Sequence, residues 1–558
     1  EEANKKTLVW HWPGSSWPPT SESPNLYVVD GTSPGSVGMG TNQVENEFIL
    51  GASETVKEVT YLNRVTGDVS APCVITDLQA TKDDAFDLEA AITAPDIHVL
   101  LLGEGEGSKS GDLPIDIVQS PIKPASGWAE APEKAKEFTM LLSSGFLRRP
   151  CQIWINEAGV YDRVAVYHSK KDAEPLAIMQ EKAFALDVMD EVNVDGQMFP
   201  CNRSYKCLEI APDGSKVRLY MGTAFDPQCD ERWSPKSMLH ELTAEVGPVP
   251  SFSQMGGKNI EFCQELLNPL WEINARWQSR AIRAAIKKYD LDAVFSHTHF
   301  IDHQAHQYWN FACQKPGAPD EKLYQDLIEK VYHFADEYIG SYLPLLNEGW
   351  TLFVVSDHGI QIHTEELPLM GDGMGCNIRV MEELGYTVLK KDADGNDILE
   401  IDWSKTRAVA SRGNHIWINL AGRNEQGIVA PEDKYELERQ IIDDLYNYRD
   451  LHTGKRVVSI ALRNRDAVLI GMGGPEYGDI VFFMEEGYNL IHMDSLPTQR
   501  GYFDTSVSPI FVACGKGIKS GYVDRHIRQV DVAPTLAALA GVRVPAQNEG
   551  SIIHQILV

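Results

Sequence analysis

Residues 292–309 read DAVFSHTHFIDHQAHQYW. The first five form a short apolar run, which reads as a strand, and a helical pattern follows. Asp302 and His306 stand four apart, so on a helix they share one face. A carboxylate and an imidazole so placed can grip one metal ion. The same spacing also occurs in ordinary surface helices, so the motif alone leaves both readings open.

Downstream, residues 350–359 read WTLFVVSDHG. Trp350–Ser356 reads as a buried strand, and Asp357, His358 and Gly359 follow at its carboxyl end. Adjacent Asp and His there can present both side chains to a ligand, although a polar turn after a buried strand looks the same. A third candidate, His492, precedes the apolar run VSPIFVA of residues 507–513. In isolation it could be any loop histidine. Taken in order, the three motifs supply two carboxylates and three imidazoles. That donor set suits two divalent ions about 4 Å apart.

Around these motifs the chain alternates strands and helices. Thr7–Trp12 and Leu26–Val29 read as strands, Phe262–Lys288 as a long amphipathic helix and Asp292–Ser296 as a strand. Lys322–Asn347 reads as a helix, Val507–Ala513 as a strand, and Val530–Ala540 as a helix that Gly541 ends. Such alternation predicts an α/β fold, a mostly parallel sheet sandwiched between helices. Ligands in such sheets sit at the carboxyl ends of strands. Between them, segments such as CQIWINEA (151–158), RVAVYHS (163–169) and KVRLYMG (216–222) alternate in short runs. They predict an inserted β-rich region. The expected division is residues 1–75 as the first part of an α/β catalytic domain, 76–245 as the β-rich insertion, and 246–558 as its remainder. Within the last, 371–480 is expected to form a cap or substrate segment.

The totals limit the classes. The 558 residues carry 50 Lys plus Arg against 80 Asp plus Glu, a net charge of −30. That field repels a nucleic-acid polymer, yet a small anionic substrate can bind where metal ions invert the local charge. Hydrophobic residues make up 43%, enough for a sizeable core. No apolar run approaches the ~18 residues of a spanning helix. The nine cysteines, at 73, 151, 201, 207, 229, 263, 313, 376 and 514, are odd in number and scattered. They suggest no disulfide framework and lean to a cytoplasmic setting, with Cys201 and Cys207 as a possible pair in an oxidising one.

DxxxH, then a strand ending SDHG, then a late His, resembles the metal signature of the alkaline phosphatase superfamily. SVSPIFVACGKGIKSG (506–521) resembles its late strand-and-loop block, and RQVDVAPTLAALAGVRVP (528–545) its closing helix. IDWSKTRAVASRGNHIWINLAGRNEQGIV (401–429) resembles a segment of its type I phosphodiesterase/nucleotide pyrophosphatase-like members. KKTLVWHWPGSSWPP (5–19) resembles the strand and loop that follow the nucleophile helix. The resemblance implies two metal ions, Zn or else Mn. Asp302 and His306, with the late His492, would hold the one that activates water. Asp357 and His358 would hold the one beside the nucleophile. His492 departs from the pattern, because Met493 follows it where the family has Gly. His297, His299, His303 and His363 are the neighbouring alternatives.

The resemblance further implies an Asp in a context like LDG and a Thr or Ser nucleophile at a helix N-terminus, both expected upstream of Glu1. Val28-Val29-Asp30-Gly31-Thr32 looks similar, but no nucleophile helix follows it, and it reads as a turn after a strand. At ~30 residues per βα unit the upstream part would be roughly 60–120 residues. It could lie in a truncated reading frame or in a separate N-terminal fragment acting as a partner. This chain alone is therefore expected to be inactive and poorly soluble. The implied reaction is in-line hydrolysis of a small phosphate ester through a phosphoryl-enzyme, as a phosphodiesterase or nucleotide pyrophosphatase. A phosphomutase of the same superfamily, or an inactive binding or scaffold chain, are the alternatives.

Overall fold

The computed structural model describes residues 2–12, 17–30, 43–45, 47–57, 60–62, 69–70, 118–142, 147–194, 196–253, 260–313, 321–360, 376–377, 379–411, 415–450, 453–475, 477–485, 505–506, 509–523 and 526–558. The elements used below, in chain order, are β1 (Thr7–Trp10), β2 (Leu26–Val29), β3 (Phe48–Ser53), β4 (Gln197–Ile210), β5 (Lys216–Met221) and α1 (Asn268–Tyr289). They continue with β6 (Ala293–Ser296), α2 (Phe300–Ala312), α3 (Glu321–Gly340), β7 (Thr351–Val355), β8 (Phe511–Gly515) and α4 (Val532–Ala540).

The fold is α/β. β1 pairs in parallel with β2 on one side and β6 on the other. Trp233–Ser234 closes the outer edge of β2 in the antiparallel sense. α1 covers this sheet, with Trp271, Trp277, Ala281 and Ile282 buried against Leu8, Trp10 and Val29. α2 and α3 pack into the same core through Phe300, Tyr308, Val331 and Phe334. The amphipathic pattern read from the sequence is what buries one stripe of each helix.

The strands of the β-rich sheets come from both sides of residue 76. β3 pairs antiparallel with β5, which pairs with β4. A neighbouring sheet is built on Lys136–Leu142, Leu147–Ile155 and Tyr161–Val166. The two sheets share a core that includes Phe48, Phe138, Ile153, Tyr205 and Leu219. A further core gathers residues between Val380 and Phe482 around the helix Lys434–Asn447 and the strands Ala408–Ser411, His415–Ile418 and Ile480–Met484.

Several expected elements differ in extent. The first strand stops at Trp10, because His11 turns into the left-handed region at φ 52°. The helix expected over 262–288 begins at Ile260 and includes a wide π-turn at Cys263–Leu267 before α1. The helix expected to run to Asn347 ends at Gly340, and Leu343–Glu348 is a 3-10 turn around Pro344. The late strand covers Phe511–Gly515, and residues 507 and 508 of the expected one lie outside the described residues. Trp350–Ser356 was expected to be buried. β7 is instead half-buried along its whole length, pairing only with β8, antiparallel, among the described residues. Cys201 and Cys207 are not joined by a disulfide. They lie six residues apart on β4, and at ~3.3 Å per residue an extended strand holds them far beyond disulfide reach. The end of α4 meets its expectation. Gly541 takes φ 65° and caps the helix through its N–H. No helix among the described residues is long and apolar enough to cross a membrane.

Candidate metal centre

β6 and β7 both deliver polar residues at their carboxyl ends. β6 ends at Ser296, and the turn His297–His299 leads into α2, whose first turn carries Asp302. β7 ends at Val355, followed by Ser356, Asp357 and His358. The two ends meet. His358 Nε2 lies 3.1 Å from Asp302 Oδ1, and His299 Nε2 lies 2.7 Å from Asp302 Oδ2. Asp302 thus sits between two imidazoles from different strand ends.

Local bonds hold His358 in place. Its Nδ1 donates to the Gly359 carbonyl at 2.9 Å, and its backbone N–H donates to Asp357 Oδ1 at 3.1 Å. The Gln529 side chain donates to the Ser356 carbonyl at 3.1 Å and also to the Asp357 carbonyl. It ties the Asp-His turn to the segment just ahead of α4.

Burial disfavours the charged form of His358. Burial is the largest single influence, but the hydrogen bond to Asp302, the bond to the Gly359 carbonyl and the Asp302 and Asp357 charges together outweigh it and raise its pKa. His297 behaves oppositely. Burial first, then the neighbouring His299, pushes it down to about 4. The His297 and His299 rings are 5.5 Å apart and nearly perpendicular.

Of the expected ligands, the structure brings Asp302 and His358 together, with Asp357 beside His358. His306 falls on α2 four residues after Asp302, but its side chain lies outside the described residues, as do His363 and His492. His303 packs edge-on to Trp271, with ring centroids 5.0 Å apart. His299, weighed only as an alternative, is a direct partner of Asp302. Gln529 was missed. It lies in the quoted closing-helix segment, yet nothing in its spacing marks it. Asp30 is buried and paired with Arg232 Nη1 at 2.9 Å, in keeping with a structural turn.

The profile of the type I phosphodiesterase / nucleotide pyrophosphatase family matches residues 215–506, just over half of the chain. The chain belongs to that family. The match takes in α1 through β7 and both motifs that meet at Asp302. Among solved structures, the chain is similar to a mutant of alkaline phosphatase PafA, at 13% identity and a TM-score of 0.31, covering 55% of this chain and 57% of that one. It is also similar to wild-type PafA, at 14% identity and a TM-score of 0.30, covering 51% and 53%. The chain thus spans little more than half the length of these structures. No curated protein matches it.

Zn²⁺ and Mn²⁺ take carboxylate oxygen and imidazole nitrogen as ligands. Asp302, Asp357 and His358 supply both donor types at the meeting point of two strand ends, and they fit such an ion in kind. Among the described residues, no group of three or more His, Cys, Asp or Glu is placed to hold one. A complete coordination shell therefore needs donors from beyond them.

Proposed function

We propose that this chain carries the metal-binding part of a phosphate-ester hydrolase of the phosphodiesterase or nucleotide pyrophosphatase type. The observation that carries the reading is the 3.1 Å contact between Asp302 and His358. It joins two separate sequence motifs, at two strand ends, inside the stretch that matches the family.

Divalent ions bound by Asp302, His306, Asp357 and His358, with His492, would neutralise the ester's charge and make hydroxide available near neutral pH. The protein's own groups orient the site. His299 fixes the Asp302 carboxylate from one side, and the Gly359 carbonyl fixes the His358 tautomer with Nδ1 protonated, leaving Nε2 to face Asp302. Gln529 holds the backbone between Ser356 and Asp357. In this reading the segment 371–480, whose described residues have a core of their own, is the substrate-shaping part. The substrate is a small phosphate ester. The nucleophile is the Thr or Ser that the family resemblance puts ahead of Thr7–Trp10.

The test uses this chain and the same chain extended by its upstream coding region, each supplied with Zn²⁺ or Mn²⁺. The extended form should hydrolyse bis(p-nitrophenyl) phosphate faster than p-nitrophenyl phosphate, and the shorter form neither. Asp302→Asn should remove turnover and lower metal content. Hydrolysis unaffected by Asp302→Asn, or no hydrolysis of either ester by the extended form, would reject the reading.

A further inference from the structure

The turn His297–His299 carries the Asp302 side of the metal centre, and it is tied down from outside the centre. Both backbone polar groups of His297 are held. Its N–H donates to the Trp10 carbonyl on β1 at 3.1 Å. Its carbonyl accepts from Gln278 Nε2 on α1, also at 3.1 Å. A carbonyl only accepts, so the Gln278 amide faces it with the NH₂ group. The same nitrogen donates to the Tyr338 hydroxyl on α3 at 3.1 Å. Tyr338 in turn donates to Ser296 Oγ, on the last residue of β6, at 3.1 Å. Burial raises the Tyr338 pKa, so the hydroxyl keeps the proton that this bond uses.

Two helices thus converge on the step from strand to turn. Gln278 and Tyr338 are both buried, where hydrogen bonds are stronger than in water. From this anchor the path to the metal centre is short. The His299 carbonyl accepts the His303 N–H at 3.1 Å and opens α2, whose first turn holds Asp302. His299 Nε2 lies 2.7 Å from Asp302 Oδ2. A tilt of the turn would therefore carry His299 and Asp302 together. His358 would not follow, because its own bonds, to Asp357 and the Gly359 carbonyl, belong to the end of β7.

Groups that hold metal ligands in orientation govern metal affinity although they never touch the ion. We propose that Gln278 and Tyr338 are positioning residues for the metal centre. They fix the turn after β6 so that Asp302 already faces His358 before an ion binds. The inference rests on the metal-centre reading above and adds the source of its geometry, which is the pair of helices α1 and α3. A buried amide that served the fold alone would matter for stability and leave zinc affinity untouched. That difference is what the experiment reads.

The experiment titrates ZnCl₂ into the full chain against a chromophoric chelator, with urea unfolding of each metal-free variant beside it. Gln278→Met keeps the length of the side chain and removes its donors. It should weaken zinc binding about tenfold, the low end of what outer-shell partners contribute. Tyr338→Phe keeps the Gln278–His297 bond and should weaken it less. Asn274→Leu is the control on the same helix. Asn274 Nδ2 donates to the Ser251 and Leu270 carbonyls at 2.7 and 2.8 Å, away from the turn, so its loss should lower stability and leave zinc affinity unchanged. Wild-type affinity in Gln278→Met, or an equal loss in Asn274→Leu, would overturn the proposal. Asp302→Asn reports on the underlying reading and should weaken zinc binding most. Unchanged affinity there would overturn both, whereas a loss there with none in Gln278→Met overturns this inference alone. Should Gln278→Met not fold, Tyr338→Phe must lower the affinity, and wild-type affinity in it would overturn the proposal equally.

Discussion

β1 and β7 are both short apolar strands that lead to histidine at the carboxyl end of a sheet, yet the protein treats them differently. β1 has a parallel neighbour on each edge and helix α1 over its face, and Leu8 and Trp10 are fully buried. Among the described residues β7 has β8 on one edge, and each of its five residues is half-buried. β8 leaves Val512 48% exposed. An apolar run states that a strand can be buried. Neighbours on both edges and both faces decide whether it is. The site residues straddle the two situations, Asp302 following the packed sheet and His358 the thinner one.

The largest expected effect sets the two strands directly against each other. Trp10→Ala removes a side chain that touches Trp233 and Trp277 and should cost ~3–5 kcal/mol. Phe353→Ala on β7 loses a perpendicular contact with Phe511 and only partial burial, and should cost roughly half as much. Urea unfolding of both variants measures the difference. Equal costs would mean that β7 is packed as tightly as β1 in solution.

The fold class was legible because the helical stripes of α1 and α3 and the apolar strands are properties of local sequence. The Gly541 stop was equally readable, since only a residue tolerant of φ 65° fits there. The carboxylate and histidine motifs could be found from spacing. Their meeting at 3.1 Å could not, because it depends on how two strand ends far apart in the chain, at Ser296 and Val355, converge. Gln529 escaped for the same reason, since it acts through a contact distant in sequence, and His299 stood only among the alternatives because it lies on a turn with no periodic signal. The half-buried state of β7 was also beyond reach, since sequence composition does not reveal which neighbours a strand has.

Histidine ionisation extends the comparison at intermediate size. His11 and His297, after β1 and β6, are held neutral, with pKa values near 4. The unfolded chain binds their protons first as pH falls below 6.5. Each therefore removes stability between pH 6.5 and about 4, at up to ~1.4 kcal/mol per pH unit. His358, after β7, has a raised pKa, so its stabilising contribution is present below 6.5 and is lost as pH rises through its folded value. In chelator-treated protein, His11→Asn should flatten the acid side of the stability curve, and His358→Asn should weaken the protein mainly on that side. Ring titrations by NMR check the same order. His11 and His297 titrating near 6.5 would break the contrast.

The smallest effect tests the outer face of the thin sheet. Val→Thr keeps the shape of the side chain and adds a hydroxyl, so its cost reports whether water reaches the site. At Val29, fully buried on β2, the hydroxyl has no solvent and the change should cost ~1–3 kcal/mol. At Val512, nearly half exposed on β8, it should stay within about 0.5 kcal/mol. Because both residues are valines on strands, intrinsic strand preference cancels between them. A cost at Val512 that matched Val29 would show that this face is covered in solution, and the half-buried character of β7 and β8 would then belong to the isolated chain alone.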